Sequence, residues 1–156
     1  MVRALDLLSL TPKFILDSDA EIPEEKFVNY LATLLEVARM GGVSVEEHKL
    51  GEYIISSLGI SPDVIQKAAR LIEEESLSIG ELVARIEEPE LRVCIFRDAY
   101  VMAMMDEKVD HMEWMVLERL AGALGLSHKL AEKVTQMVDS MVELQKELDK
   151  LTKRST

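Results

Sequence analysis

The chain has 156 residues, 48% of them hydrophobic and 30% charged, which is enough to bury one core of ordinary domain size and too apolar for extended disorder. Its formal net charge of -11 repels phosphate backbones and excludes nucleic acid as an expected partner, and the shortage of Lys and Arg argues against adsorption to an anionic membrane. The lone Cys94 excludes an intramolecular disulfide, and no run approaches the roughly 18 apolar residues needed to span a bilayer, so the expectation is a cytoplasmic protein that is not an integral membrane protein.

From the N-terminus onward the period is helical, with no sustained alternation. The opening MVRALDLLSLTPKFIL is broken by Asp6 and by Thr11-Pro12 and lacks a signal-peptide core and cleavage site. Helices are predicted over 3–9, 24–40, 45–58, 62–75, 79–87, 90–107, 111–124 and 128–151. Glu24 and Glu25 follow Pro23 into a first turn, where acids favour the helix dipole. Ser61-Pro62 reads as an N-cap with Pro at the first helical position, and Pro89 opens a further helix. Ser44, Ser78 and Asp110 each stand three residues before a Glu, the spacing of a capping box. Residues 153–156 are expected to fray. The fold class is therefore all-α, a single domain over 1–156 with seven to eight helices. Only 4% of residues are aromatic while nine are Met, which implies an aliphatic core with Met as filler.

A repeat runs through this pattern. VSVEEHKLGEYIISSLGIS at 43–61 aligns without a gap to VDHMEWMVLERLAGALGLS at 109–127. Val43, Glu47, Glu52, Leu58, Gly59 and Ser61 find Val109, Glu113, Glu118, Leu124, Gly125 and Ser127. Gly59 and Gly125 read as left-handed C-caps. The expected architecture is a pseudo-twofold bundle of helix pairs, with halves at about 24–61 and 90–127.

Between the two helices of the second copy lie Asp106, Glu107, Asp110 and Glu113. Capping explains Asp110 and Glu113 but not Asp106, whose negative charge sits at a helix carbonyl end. Two readings follow. Asp106 closes a local turn, or Asp106, Asp110 and Glu113 supply oxygens to a hard cation such as Ca or Mg. His111 would admit Zn, and Glu47, the repeat partner of Glu113, completes the candidate metal ligands. The loop is no EF-hand, because His111 and Leu117 stand where Gly and Glu are required.

These residues resemble the TerB-like family, named for tellurite-resistance proteins. Ala103-Met104-Met105-Asp106, Val109-Asp110, Glu113 and Leu124-Gly125-Leu126-Ser127 carry the resemblance, echoed by Ala38-Arg39-Met40, Val43-Ser44, Glu47 and Leu58-Gly59-Ile60-Ser61. It spans roughly 24–145. It implies about seven helices in two related halves, an acidic surface associated with metal binding, and non-enzymatic roles in stress response or as an interaction module. The first copy departs from the pattern: Gly41-Gly42 stand where the family carries Asp-Gly, so the equivalent of Asp106 is missing there.

The remaining candidates read as structure. Cys94 lies among apolar neighbours with no adjacent His and is expected to be a buried thiol. Arg97-Asp98 is expected to be a semi-buried ion pair, with Asp98 able to face the acidic junction. Trp114 is expected to anchor two helices, and His48, His111 and His128 to be solvated. In the last helix Leu130, Val134, Met137, Met141, Leu144, Leu148 and Leu151 recur at spacings of four and three. This stripe either covers the domain's own core or makes a homodimer through the C-terminal helix; protein partners are expected. The functional expectation is a non-enzymatic interaction protein with a divalent cation at the acidic junction. The alternatives are a metal-dependent enzyme using the same cluster and a ligand-free structural adaptor.

Overall fold

The computed structural model describes residues 24–41, 61–104 and 110–154, the side chains of Gln145 and Arg154 excepted. Within these residues the chain is all-α with no strand, in six helices: α1 Glu24–Met40, α2 Pro62–Glu73, α3 Ile79–Ala84, α4 Pro89–Ala103, α5 His111–Ala123 and α6 His128–Arg154. None of these is long and apolar enough to cross a membrane. The helices expected at 3–9 and 45–58 lie outside the described residues, so the first half of the repeat cannot be laid on the second.

Helix starts follow their caps. The hydroxyls of Ser61, Ser78 and Ser127 accept from the backbone N–H of Val64, Glu81 and Leu130 at 3.3, 3.2 and 3.1 Å. Helix ends are less local. α3 stops at Ala84 rather than 87, because Ile86 turns fully inward and its N–H bonds the Val83 carbonyl at 2.9 Å. α6 does not fray at 153 but continues through Arg154. The chain leaves α5 through Gly125, at φ 71, with the Leu126 N–H reaching back to the Ala121 carbonyl at 3.0 Å. That is the left-handed exit expected of this glycine. α2 ends the same way without one: Ser76 has φ 52, and the Leu77 N–H bonds the Leu71 carbonyl at 3.1 Å.

α1 packs on α2, α3 and α4 and touches α5, while α4 packs on α5 and α6. Two apolar clusters result. The larger joins Tyr30 and Val37 of α1 to Ile95, Phe96 and Tyr100 of α4, Leu117 and Leu120 of α5, and Val134 and Val138 of α6. The smaller joins Val28, Leu31 and Ala32 of α1 to Ala68 of α2 and Leu82 of α3.

One guanidinium ties three of these helices. Arg92, in the first turns of α4, donates to the Ile86 carbonyl at 2.7 Å, the Leu124 carbonyl at 3.1 Å and the Val83 carbonyl at 3.3 Å. It caps the carbonyl ends of α3 and α5, where a cation is favoured.

The two left-handed exits differ in side chain, and their substitutions are expected to move stability in opposite directions. Ser76→Gly should raise it by about 0.5–1 kcal/mol, and Gly125→Ala should lower it by about 1 kcal/mol. Urea midpoints at constant m-value check both.

Candidate functional site

The acidic junction is built by the end of α4 and the start of α5. Asp110 is extended, at φ -80 and ψ 174, and serves as the N-cap of α5. Its Oδ1 accepts from the Glu113 N–H at 2.7 Å, and Glu113 Oε1 accepts from the Asp110 N–H at 3.3 Å. The capping box is complete, with Asp in the Ser/Thr position. His111 is the first helical residue and is exposed. The structure thus brings Asp110, His111 and Glu113 into one helical turn. Asp106 and Glu47 lie outside the described residues, and among the described residues no group of three His, Cys, Asp or Glu side chains is placed to hold a metal.

The end of α1 abuts this junction. A Cβ added at Gly41 would lie 3.8 Å from Glu113 Cγ, ordinary van der Waals contact. Gly41, the first residue of the Gly-Gly departure in the first copy, therefore sits beside the capping Glu of the second. One turn earlier, the Glu36 carboxylate is buried and held by both ends of the Arg39 guanidinium. Hydrogen bonding to Glu36, and then its charge, hold the Arg39 pKa above its usual value. Glu36 was not singled out in the sequence, although a signal exists: Asn29, Thr33 and Glu36 recur at four and three residues, and all three are buried polar residues on one stripe of α1. Thr33 resolves its burial locally, with Oγ1 donating to the Asn29 carbonyl at 2.8 Å.

Asp98 finds two of its partners away from the α5 cap. It is buried in α4, pairs with Arg97 Nε at 3.4 Å and receives the Tyr30 hydroxyl of α1 in a short hydrogen bond. The semi-buried ion pair expected there is present, with a third member 68 positions away. Trp114 of α5 lies against Tyr100 of α4, ring centroids 5.7 Å apart at 45°. The Tyr100 hydroxyl donates to Asp139 of α6 at 2.7 Å. Cys94 is half-buried, and burial pushes its thiol pKa up, the opposite of an activated nucleophile.

A family model described as "Tellurite resistance protein TerB" matches residues 27–150. No curated protein and no solved structure gives a significant match.

Burial, then the Asp98 charge, then the hydrogen bond to Asp98 hold the Tyr30 pKa well above its ordinary value of about 10. Tyr100 is raised as well, by burial first and the Asp139 hydrogen bond second. A group whose folded pKa is raised contributes its full stability below the unfolded pKa and loses it as pH rises toward the folded one. Stability should therefore be insensitive to these tyrosines up to about pH 9 and fall above about pH 10. Tyr30→Phe should flatten that alkaline slope and cost about 1.5–3 kcal/mol at pH 7, by removing a donor from a buried carboxylate. Urea titrations from pH 7 to 11 check this; an unchanged slope would remove the Tyr30–Asp98 contact as its cause.

Proposed function

The chain belongs to the TerB family, its family model covering 124 of the 156 residues (27–150), and from that premise we propose that it is a non-enzymatic interaction module of the tellurite-resistance or stress-response type. It would act in the cytoplasm, associate through its C-terminal helix and take a divalent cation at the acidic junction. The reading includes the two-copy architecture, with 24–61 and 90–127 as equivalent helix pairs.

The observation that carries the interaction reading is the outer face of α6. Val134 and Val138 are buried against the larger cluster, and Asp139 is tied to Tyr100. The heptad stripe drifts off that face. Met137, Leu144 and Leu151 are each 64% exposed and Leu148 is 53% exposed. The last three turns thus present leucines to solvent at coiled-coil spacing.

We assign a second copy of the chain as the occupant. Covering the exposed part of each side chain gains about 1–2 kcal/mol. Four from each copy give roughly 8–16 kcal/mol, comparable with the ~4–15 kcal/mol lost on immobilising two bodies. Charge favours antiparallel pairing. Residues 143–149 contain Glu143, Glu147 and Asp149 against one Lys, whereas 150–154 contain Lys150, Lys153 and Arg154 and no acid. Antiparallel helices set each acidic stretch beside the partner's basic one. Sedimentation at tens of micromolar should give twice the 17.6 kDa chain mass. Leu144→Glu with Leu148→Glu should give a monomer of unchanged helicity, since both side chains are exposed. A monomeric wild-type chain would assign the stripe to another role.

The cation reading rests on the chemistry of the donors. Asp110 uses one carboxylate oxygen in its cap and keeps the second, which suits a hard divalent ion when Asp106 and Glu47 join it. His111 at the same turn would accommodate Zn. A bound ion should stabilise the fold by about 2.7 kcal/mol at a hundredfold excess over its Kd. Asp106→Asn should abolish that gain at no cost to the metal-free protein, whereas Asp110→Ala should cost about 1 kcal/mol even without metal, through its cap. Melting curves in Ca, Mg, Mn and Zn decide it, and an unaltered metal response in Asp106→Asn rejects the site.

A further inference from the structure

On the side of α1 facing α2 and α3 there is a solvent-open cleft of about 340 Å³. Its floor is Asn29, with Val28 and Leu71 as apolar walls, and its lips carry Glu24, Glu25, Lys67 and Arg85. The volume falls at the lower end of the range of small-molecule sites.

Asn29 distinguishes this cleft from a packing defect. It is only 4% exposed. Its backbone carbonyl accepts from Thr33, but its carboxamide has no hydrogen-bond partner among the described residues. A side-chain amide can donate twice and accept twice, and buried amides are ordinarily satisfied. Here the amide, with no partner among the described residues, opens onto a cavity wide enough for a ligand.

The lips set the ligand's charge. Lys67 is committed to Glu24 at 3.0 Å and Asp63 at 3.5 Å. Arg85 and Glu25 make no ion pair among the described residues, which leaves one free guanidinium and one free carboxylate around the same opening. A simple anion would meet Glu25 and a simple cation would meet Arg85. A molecule bearing both charges satisfies both lips. Its carboxylate suits the planar Arg85 fork. Its ammonium suits Glu25 and the Asn29 carbonyl oxygen, and the Asn29 amide hydrogens remain for the carboxylate. Val28 and Leu71 favour an aliphatic side chain between them. We propose that this cleft is a binding site for a small aliphatic amino acid, an activity independent of the acidic junction and of the α6 stripe.

Isothermal titration of the full chain with L-leucine tests this, beside 4-methylpentanoate, which lacks the ammonium, and 3-methylbutylamine, which lacks the carboxylate. Saturable leucine binding is expected, with each single-charge analogue at least tenfold weaker. Arg85→Gln, at an exposed position, should weaken leucine to the level of the amine. Asn29→Leu should abolish binding, because the amide that meets both charged groups of the ligand is gone, with a cooperative melting curve of the ligand-free variant showing that it is folded. No saturable binding of leucine at ten millimolar, equal binding of the analogues, or undiminished binding to Arg85→Gln would each overturn the proposal.

Discussion

Inside an otherwise aliphatic core, the Tyr30 hydroxyl of α1 meets the Asp98 carboxylate of α4. Apolar contacts alone let helices slide by a fraction of a turn at little cost, whereas a buried carboxylate without its donor is expensive. This contact therefore sets how α1 lies along α4, and the other helices are arranged around that pair. α4 carries the remaining ties as well. Arg92 near its start holds the carbonyl ends of α3 and α5, and Tyr100 near its end holds α6 through Asp139.

α1 is the second organising element, because it belongs to both apolar clusters. Between its two apolar faces runs the polar stripe of Asn29, Thr33 and Glu36. Each member resolves its burial differently: Thr33 by a bond to its own helix, Glu36 by Arg39 at the edge, and Asn29 by opening onto a cleft. A polar stripe at the centre of a packed helix restricts the arrangements open to that helix, since any rotation would strand one of the three.

How much could be read from the chain divides by distance. α1 falls on its expected bounds, 24–40, because both of its ends are marked locally, by first-turn acids and by Gly41. Ser61 and Asp110 cap as expected, the latter with both halves of its box, and Ser78 caps through its hydroxyl alone, since a cap needs only the next three residues. The end of α3 was misjudged because it depends on Ile86 entering a core assembled from other helices. Arg92, Glu36 and the Tyr30–Asp98 pair escaped for the same reason: their partners are set by packing, and periodicity carries no record of them. At the candidate site, the Asp110–Glu113 box was legible because it is local. Of the companion residues, Asp106 follows from its charge at a helix carbonyl end and Glu47 from the repeat, and both lie outside the described residues.

Trp114 is the chain's one indole, 40% exposed and lying against the Tyr100 ring. Tyr100 in turn is hydrogen-bonded to Asp139 near the middle of α6. An event that lifts α6 from α4 would release the Tyr100 phenol from Asp139 while its ring stays against Trp114, since that contact joins α4 to α5. The molecule thus carries an intrinsic fluorophore one ring away from the seam between its body and α6. A change in its emission would report, without any label attached, on the environment of the residue that ties that helix down.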